Sequence, residues 1–172
     1  RKGQTKTLLD SAGISQSRVV IEVTESSPIE DFSEISDAIR KYREAGFTVA
    51  IDDLGAGYSG LKLWSEMVPD FVKIDRHFIQ DVDKDRTKRQ FIRAIIEIAQ
   101  YLGANVITEG IETLEEYSTL RKMGVEYVQG YYFSKPLASP PQILPSNLFR
   151  SDQRPFEITG NSTSTLIEPV PS

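Results

Sequence analysis

A unit repeats along this chain and restricts the folds open to it: an amphipathic helix, a glycine, a short spacer, then an apolar strand ending in a polar side chain. Residues 32–45 carry Phe32, Ile35, Ile39 and Tyr42 at helical spacing, Gly46 stands where a C-terminal cap belongs, and Thr48–Ile51 runs into Asp52. Residues 88–102 repeat this with Phe91, Ile95, Ile98 and Leu102, then Gly103, then Asn105–Thr108 ending at Glu109. Residues 114–123 do so again: Thr113 and Glu116 have capping-box spacing, Gly124 closes the helix, and Tyr127–Val128 leads to Gln129. Val19–Val23, containing Glu22, and Phe71–Ile74, containing Lys73, read as two further strands. A short helix over 59–67 lies between the second and third strands.

Strands that alternate with helices predict βα units and a parallel sheet. The C-terminal strand ends of such a sheet share one mouth, where Glu22, Glu25, Asp52, Asp53, Lys73, Asp75, Glu109, Glu112 and Gln129 would gather. Polar residues at several strand ends are how a (β/α)8 barrel builds a site. Ala50 shares a face with Asp52, and Ile107 with Glu109, so the positions beneath the acids are small or apolar, as a barrel interior requires. An open doubly wound sheet is the alternative. Five strands fall short of eight, and the smallest complete barrels need roughly 200 residues. Leu8, Leu9, Ala12 and Gly13 read as a helix end feeding the strand at Val19. The expectation is an incomplete α/β barrel, its N-terminal third absent.

Composition narrows the partners. With 172 residues and a net charge of −5, the chain fits one soluble domain and lacks the basic balance of a nucleic-acid polymer binder. It has no cysteine, so disulfides and thiolate metal sites are excluded; that is compatible with the cytoplasm, and a cytoplasmic protein, or the cytoplasmic domain of a larger, membrane-anchored one, is expected. No apolar run approaches the roughly 20 residues that span a bilayer. Pro140, Pro141 and Pro145 break regular structure, and 150–172 is rich in Ser, Thr and Pro. A domain over 1–145 and a disordered tail over 146–172 are expected.

The adjacent acids in VAIDDLGAGYSGL (49–61) need compensation. Two carboxylates about 4 Å apart repel by about 4 kcal/mol at an effective dielectric near 20. Protons, basic side chains or a cation can offset that, and a divalent cation also does chemistry. Alone, the pair reads better as a solvated turn, since Asp and Gly are ordinary turn residues; the rest of the chain reverses that. Lys73 and Asp75 could form a strand-end ion pair, and Glu112 and Glu116 could be first-turn helix carboxylates. His77 reads as structural or exposed, and Tyr131, Tyr132 and Phe133 as packing.

Five segments occur in order: IEVTES (21–26), DDLGAGYSGL (52–61), VKIDRHFI (72–79), ITEGIET (107–113) and VQGYYFSKPL (128–137). Together they closely resemble the EAL domain, a bacterial family with a modified (β/α)8 TIM-like barrel, over residues 8–145. The resemblance implies metal-dependent hydrolysis of cyclic di-GMP to linear pGpG with Mg²⁺ or Mn²⁺. It implies that Glu22 binds a first metal, that Asp52 is shared between two and that Asp53 joins the second. It makes Lys73 the holder of the attacking water and Glu109 a second-metal ligand and general base. Glu25 resembles a loop brace, and Glu112 and Gln129 resemble substrate-side residues. A homodimer and an upstream sensory or GGDEF domain in the full-length protein are further expectations. The Glu-Ala-Leu signature and an asparagine ligand are not in this chain, and Leu54, Ala56 and Gly60 stand where Phe, Thr and Ser are usual. Little or no catalysis is therefore expected of the 172-residue chain alone. The alternative is a degenerate domain that binds cyclic di-GMP or regulates without cleaving it.

Overall fold

The computed structural model describes residues 4–24, 32–57 and 60–139. Its elements are α1 (Gln4–Ser11), a 3-10 turn (Gln16–Arg18), β1 (Val20–Thr24), α2 (Phe32–Glu44), β2 (Thr48–Leu54), α3 (Gly60–Met67) and β3 (Phe71–Ile74). There follow α4 (Arg76–Ile79), α5 (Arg86–Leu102), β4 (Asn105–Thr108), α6 (Leu114–Lys122) and β5 (Tyr127–Val128). The strands form one five-stranded sheet in chain order, β1-β2-β3-β4-β5, and the β1–β2 and β4–β5 pairs are parallel. The tail expected over 146–172 lies outside the described residues, as does Glu25. Among the described residues no helix is long and apolar enough to cross a membrane.

The repeated unit is a repeated helix closure. At Gly13, Gly46, Gly103 and Gly124 the backbone turns left-handed, with φ between +68 and +90. The residue after each glycine donates to the carbonyl five residues back: Ile14 to Leu9, Phe47 to Tyr42, Ala104 to Ala99 and Val125 to Leu120. This is the Schellman arrangement, which satisfies the last carbonyls of the helix and turns the chain toward the strand. Thr113 and Glu116 form the capping box at the start of α6.

Two compact groups of residues carry the packing. In the first, up to Lys73 together with Ala99–Asn105, Val49, Ala50 and Ile51 of β2 are fully buried, and Leu63, Trp64 and Met67 of α3 are buried. Consecutive buried residues mean that β2 is covered on both faces, as in a parallel sheet. Arg43 near the end of α2 donates to the Val68 carbonyl and pairs with Asp70, whose carboxylate accepts the Val49 N–H at 2.9 Å. In the second group, Ile74–Ile98 with Val106 onward, Ile92, Ile95, Ile107, Ile111, Leu120 and Val128 are buried.

One expectation is corrected here. The α5 stripe expected through Phe91, Ile95, Ile98 and Leu102 is buried only in part: Phe91 and Ile98 are 55% and 39% exposed, while Ile95 is buried together with Ile92, Ile96 and Ala99. Apolar residues at 91, 92, 95, 96, 98 and 99 give two overlapping helical stripes. Spacing alone cannot choose between them; packing does.

Candidate metal and phosphodiester site

In the first group, the side chain of Lys73 on β3 is only 9% exposed. Its Nζ lies 2.9 Å from Glu22 Oε1 on β1 and 2.8 Å from Asp52 Oδ1 on β2. Desolvating an ammonium costs several kcal/mol, of order 3–5 once a partner is lost, and two carboxylates offset that cost. The parallel register sets Glu22 beside Ala50 and Thr24 beside Asp52, so a small, fully buried side chain stands level with Glu22.

Asp53 leaves strand geometry, with φ +56. Successive strand residues face opposite sides, so a regular Asp53 would be carried away from Asp52. The left-handed turn breaks that alternation. The Asp53 N–H donates to Asp52 Oδ1 at 3.1 Å, and a carboxylate oxygen of each residue lies within 4.8 Å of the other. Aspartate tolerates this backbone region better than most side chains. Asp52 Oδ1 thus receives both the Lys73 ammonium and the Asp53 N–H, which leaves Oδ2 to take a ligand.

In the second group, Glu109 directly follows β4, and its N–H donates to the Ile74 carbonyl at 3.3 Å. The loop after it is pinned on several sides. Ile111 N–H donates to Gln129 O at 3.1 Å, Tyr132 N–H to Ile111 O at 2.9 Å, and Gln129 N–H to Thr108 O at 2.8 Å. Gly130 lies so close to the Ile111 backbone that a Cβ there would overlap it. Gly110, at φ +74, lies against the aliphatic stem of Arg76, whose Nη2 pairs with Glu112 Oε1 at 2.8 Å.

Glu116 holds this loop from beneath. It is 4% exposed, and its carboxylate accepts from Asp81 N–H at 2.9 Å, Glu112 N–H at 2.9 Å and Thr113 N–H at 3.1 Å. Burial pushes its carboxyl up, but the three backbone donors and the Thr113 hydroxyl outweigh burial and hold it below the usual range. The sequence shows Glu116 as a capping residue; its reach to Asp81, 35 positions away, has no local signal. Asp81 itself sits at φ +58, and Asp75 caps α4 by accepting the His77 N–H at 2.8 Å. His77 is exposed, as expected.

A profile of the EAL domain matches residues 3–136. The chain belongs to the EAL domain family. Cyclic di-GMP phosphodiesterase NbdA of Pseudomonas aeruginosa is 36% identical over 129 residues, which cover 75% of this chain and 16% of NbdA. Among solved EAL structures, the c-di-GMP bound form of a standalone EAL protein from Vibrio cholerae O395 superposes with a TM-score of 0.75 at 31% identity. That match covers 79% of this chain and 58% of the Vibrio chain. A manganese and cyclic di-GMP complex of Klebsiella pneumoniae BlrP1 gives 0.73 at 37% identity, covering 79% of this chain and 36% of BlrP1. The five parallel strands correspond to part of the TIM-barrel-like EAL fold, and the barrel they form is incomplete. The chain spans less than two thirds of each of these relatives.

Proposed function

We propose that this domain serves metal-dependent hydrolysis of cyclic di-GMP to linear pGpG. The observation that carries this reading is the Lys73 ammonium held between Glu22 and Asp52, beside an Asp53 turned out of strand geometry. EAL membership supports it, as do relatives named for cyclic di-GMP hydrolysis or solved with cyclic di-GMP and manganese.

On family membership we assign Glu22, Asp52, Asp53 and Glu109 as metal ligands, with Glu22 at a first ion and Asp52 shared between two. The donor set fits Mg²⁺ or Mn²⁺: every proposed ligand is a carboxylate, the chain has no cysteine, and its one histidine is exposed on α4. Hard oxygen donors favour those ions over zinc or copper. Bound there, the cations make hydroxide available near neutral pH and offset phosphoryl charge.

The chain's own groups do the rest. Lys73, fixed by two carboxylates, holds the water and faces the charge that grows on the phosphoryl oxygens. Glu109 takes a proton from the water as its oxygen attacks phosphorus. The bond from phosphorus to the ribose 3′ oxygen breaks, that oxygen leaves with a proton, and one water is consumed per pGpG formed. Glu112 and Gln129 contact substrate in this scheme. Glu25 braces the loop after Asp53; it lies outside the described residues.

The domain is proposed to run to residue 145, somewhat past the matched segment. The homodimer, the added sensory or GGDEF domain and the cytoplasmic location belong to the same proposal. The test is chromatographic detection of pGpG from cyclic di-GMP by a full-length protein carrying this segment. Release with Mg²⁺ or Mn²⁺, abolished by chelation and by Asp52→Ala, is expected. Hydrolysis that persists in Asp52→Ala overturns the metal assignment.

A further inference from the structure

We infer that the Arg76–Glu112 pair reads the base of the bound dinucleotide and selects guanine over adenine; this rests on the functional reading above. The pair is half exposed, with side chains 52% and 43% accessible, yet both ends are fixed. The Arg76 stem lies along Gly110, where any Cβ would collide with its Cβ, Cγ and Cδ. The Glu112 backbone is held by the buried Glu116 carboxylate, which accepts its N–H at 2.9 Å. Exposed ion pairs made by long mobile side chains contribute about 0–1 kcal/mol and need no such support. Here a glycine with φ +74 and a buried carboxylate hold a guanidinium and a carboxylate side by side; Glu112 lies three residues after Glu109, and Arg76 two residues after Ile74, whose carbonyl accepts the Glu109 N–H.

The pair presents donors next to an acceptor. Glu112 Oε1 is engaged by Arg76 at 2.8 Å, and its second oxygen can take N–H groups from a ligand. The planar Arg76 fork has five N–H donors, more than Glu112 uses. The Watson–Crick edge of guanine offers two N–H donors, at N1 and N2, beside the O6 acceptor. A carboxylate takes the first two and a guanidinium gives to the third. Adenine reverses this edge, with an acceptor at N1 and a donor at N6, and would set N1 against the carboxylate. A polar site of this kind rejects the wrong partner because its own groups are left unpaired.

The test is calorimetric binding of cyclic di-GMP and cyclic di-AMP to the full chain, with Ca²⁺ present to prevent turnover. Wild type should prefer the guanine ligand by about tenfold or more, the discrimination of one good bidentate base contact. Arg76→Met and Glu112→Gln should each reduce that ratio toward one. Arg76→Lys, which keeps the charge and loses the fork, should retain only part of it and serves if Arg76→Met does not fold. If Arg76 only attracts phosphates, its loss weakens both ligands equally; an unchanged ratio in the variants overturns the inference and leaves the functional reading standing. Wild type that binds neither ligand overturns the functional reading, and the inference with it.

Discussion

Lys73 Nζ lies 2.8 Å from Asp52 Oδ1 while also 2.9 Å from Glu22 Oε1, so one buried ammonium neutralises acids from two other strands. Lys73→Met leaves both carboxylates uncompensated. We expect a loss of about 1–3 kcal/mol in denaturant unfolding, below the 3–5 of a fully buried pair because Glu22 is half exposed to water. Added Mg²⁺ or Mn²⁺ should raise the thermal midpoint of this variant more than that of wild type, because ligand binding to the native state stabilises it.

Asp53 combines a charge with a left-handed backbone at φ +56, and two substitutions separate these roles. Asp53→Asn keeps a side chain suited to that backbone and should unfold within about 0.5 kcal/mol of wild type. Asp53→Val should cost about 1–3 kcal/mol, the penalty of a strained residue. Equal stability of the two variants in urea would show that the turn is not imposed by the fold.

Glu116 sets a pH dependence. Its folded carboxyl lies below the usual 4.5, so its contribution to stability is fully present above that pH and is lost as pH falls through the folded value. Glu116→Gln should therefore flatten the acid limb of a stability-against-pH curve and cost about 1 kcal/mol at pH 7. Asp37 and Asp81 are also held low, by Arg40 and Lys84, but on the exposed surface, so they leave the acid limb of the variant shallow.

Gly130 and Gly103 are glycines for different reasons. A Cβ at Gly130 would overlap the Ile111 backbone, whereas Gly103 has open space around it and a φ of +74. Gly103→Ala should cost about 1 kcal/mol in backbone strain. Gly130→Ala should cost about 1–3 kcal/mol and shift the loop carrying Glu109 and Glu112, lowering hydrolysis more than its stability loss explains. Matching effects of the two on hydrolysis would contradict that distinction.

What could be read from the sequence was local. The caps at Gly46, Gly103 and Gly124 follow from the residues just before them, and the acids at strand ends follow from where apolar runs stop. What could not be read depends on partners distant in the chain. The buried face of α5 was one such case, since two apolar stripes overlap and only packing leaves Phe91 outside. The three-way grip of Glu116 was another, because Asp81 lies in a separate loop and carries no sign of the contact. The choice of Glu22 and Asp52 as partners of Lys73 required the register of three strands.

The central claim is that Asp52, Asp53 and Glu109 bind a divalent cation, and Mn²⁺ titration followed by the EPR signal of the free ion tests it most directly. Wild-type chain should remove that signal, and Asp53→Asn and Glu109→Gln should each weaken binding by about tenfold or more. Manganese affinity unchanged in both folded variants would contradict the account.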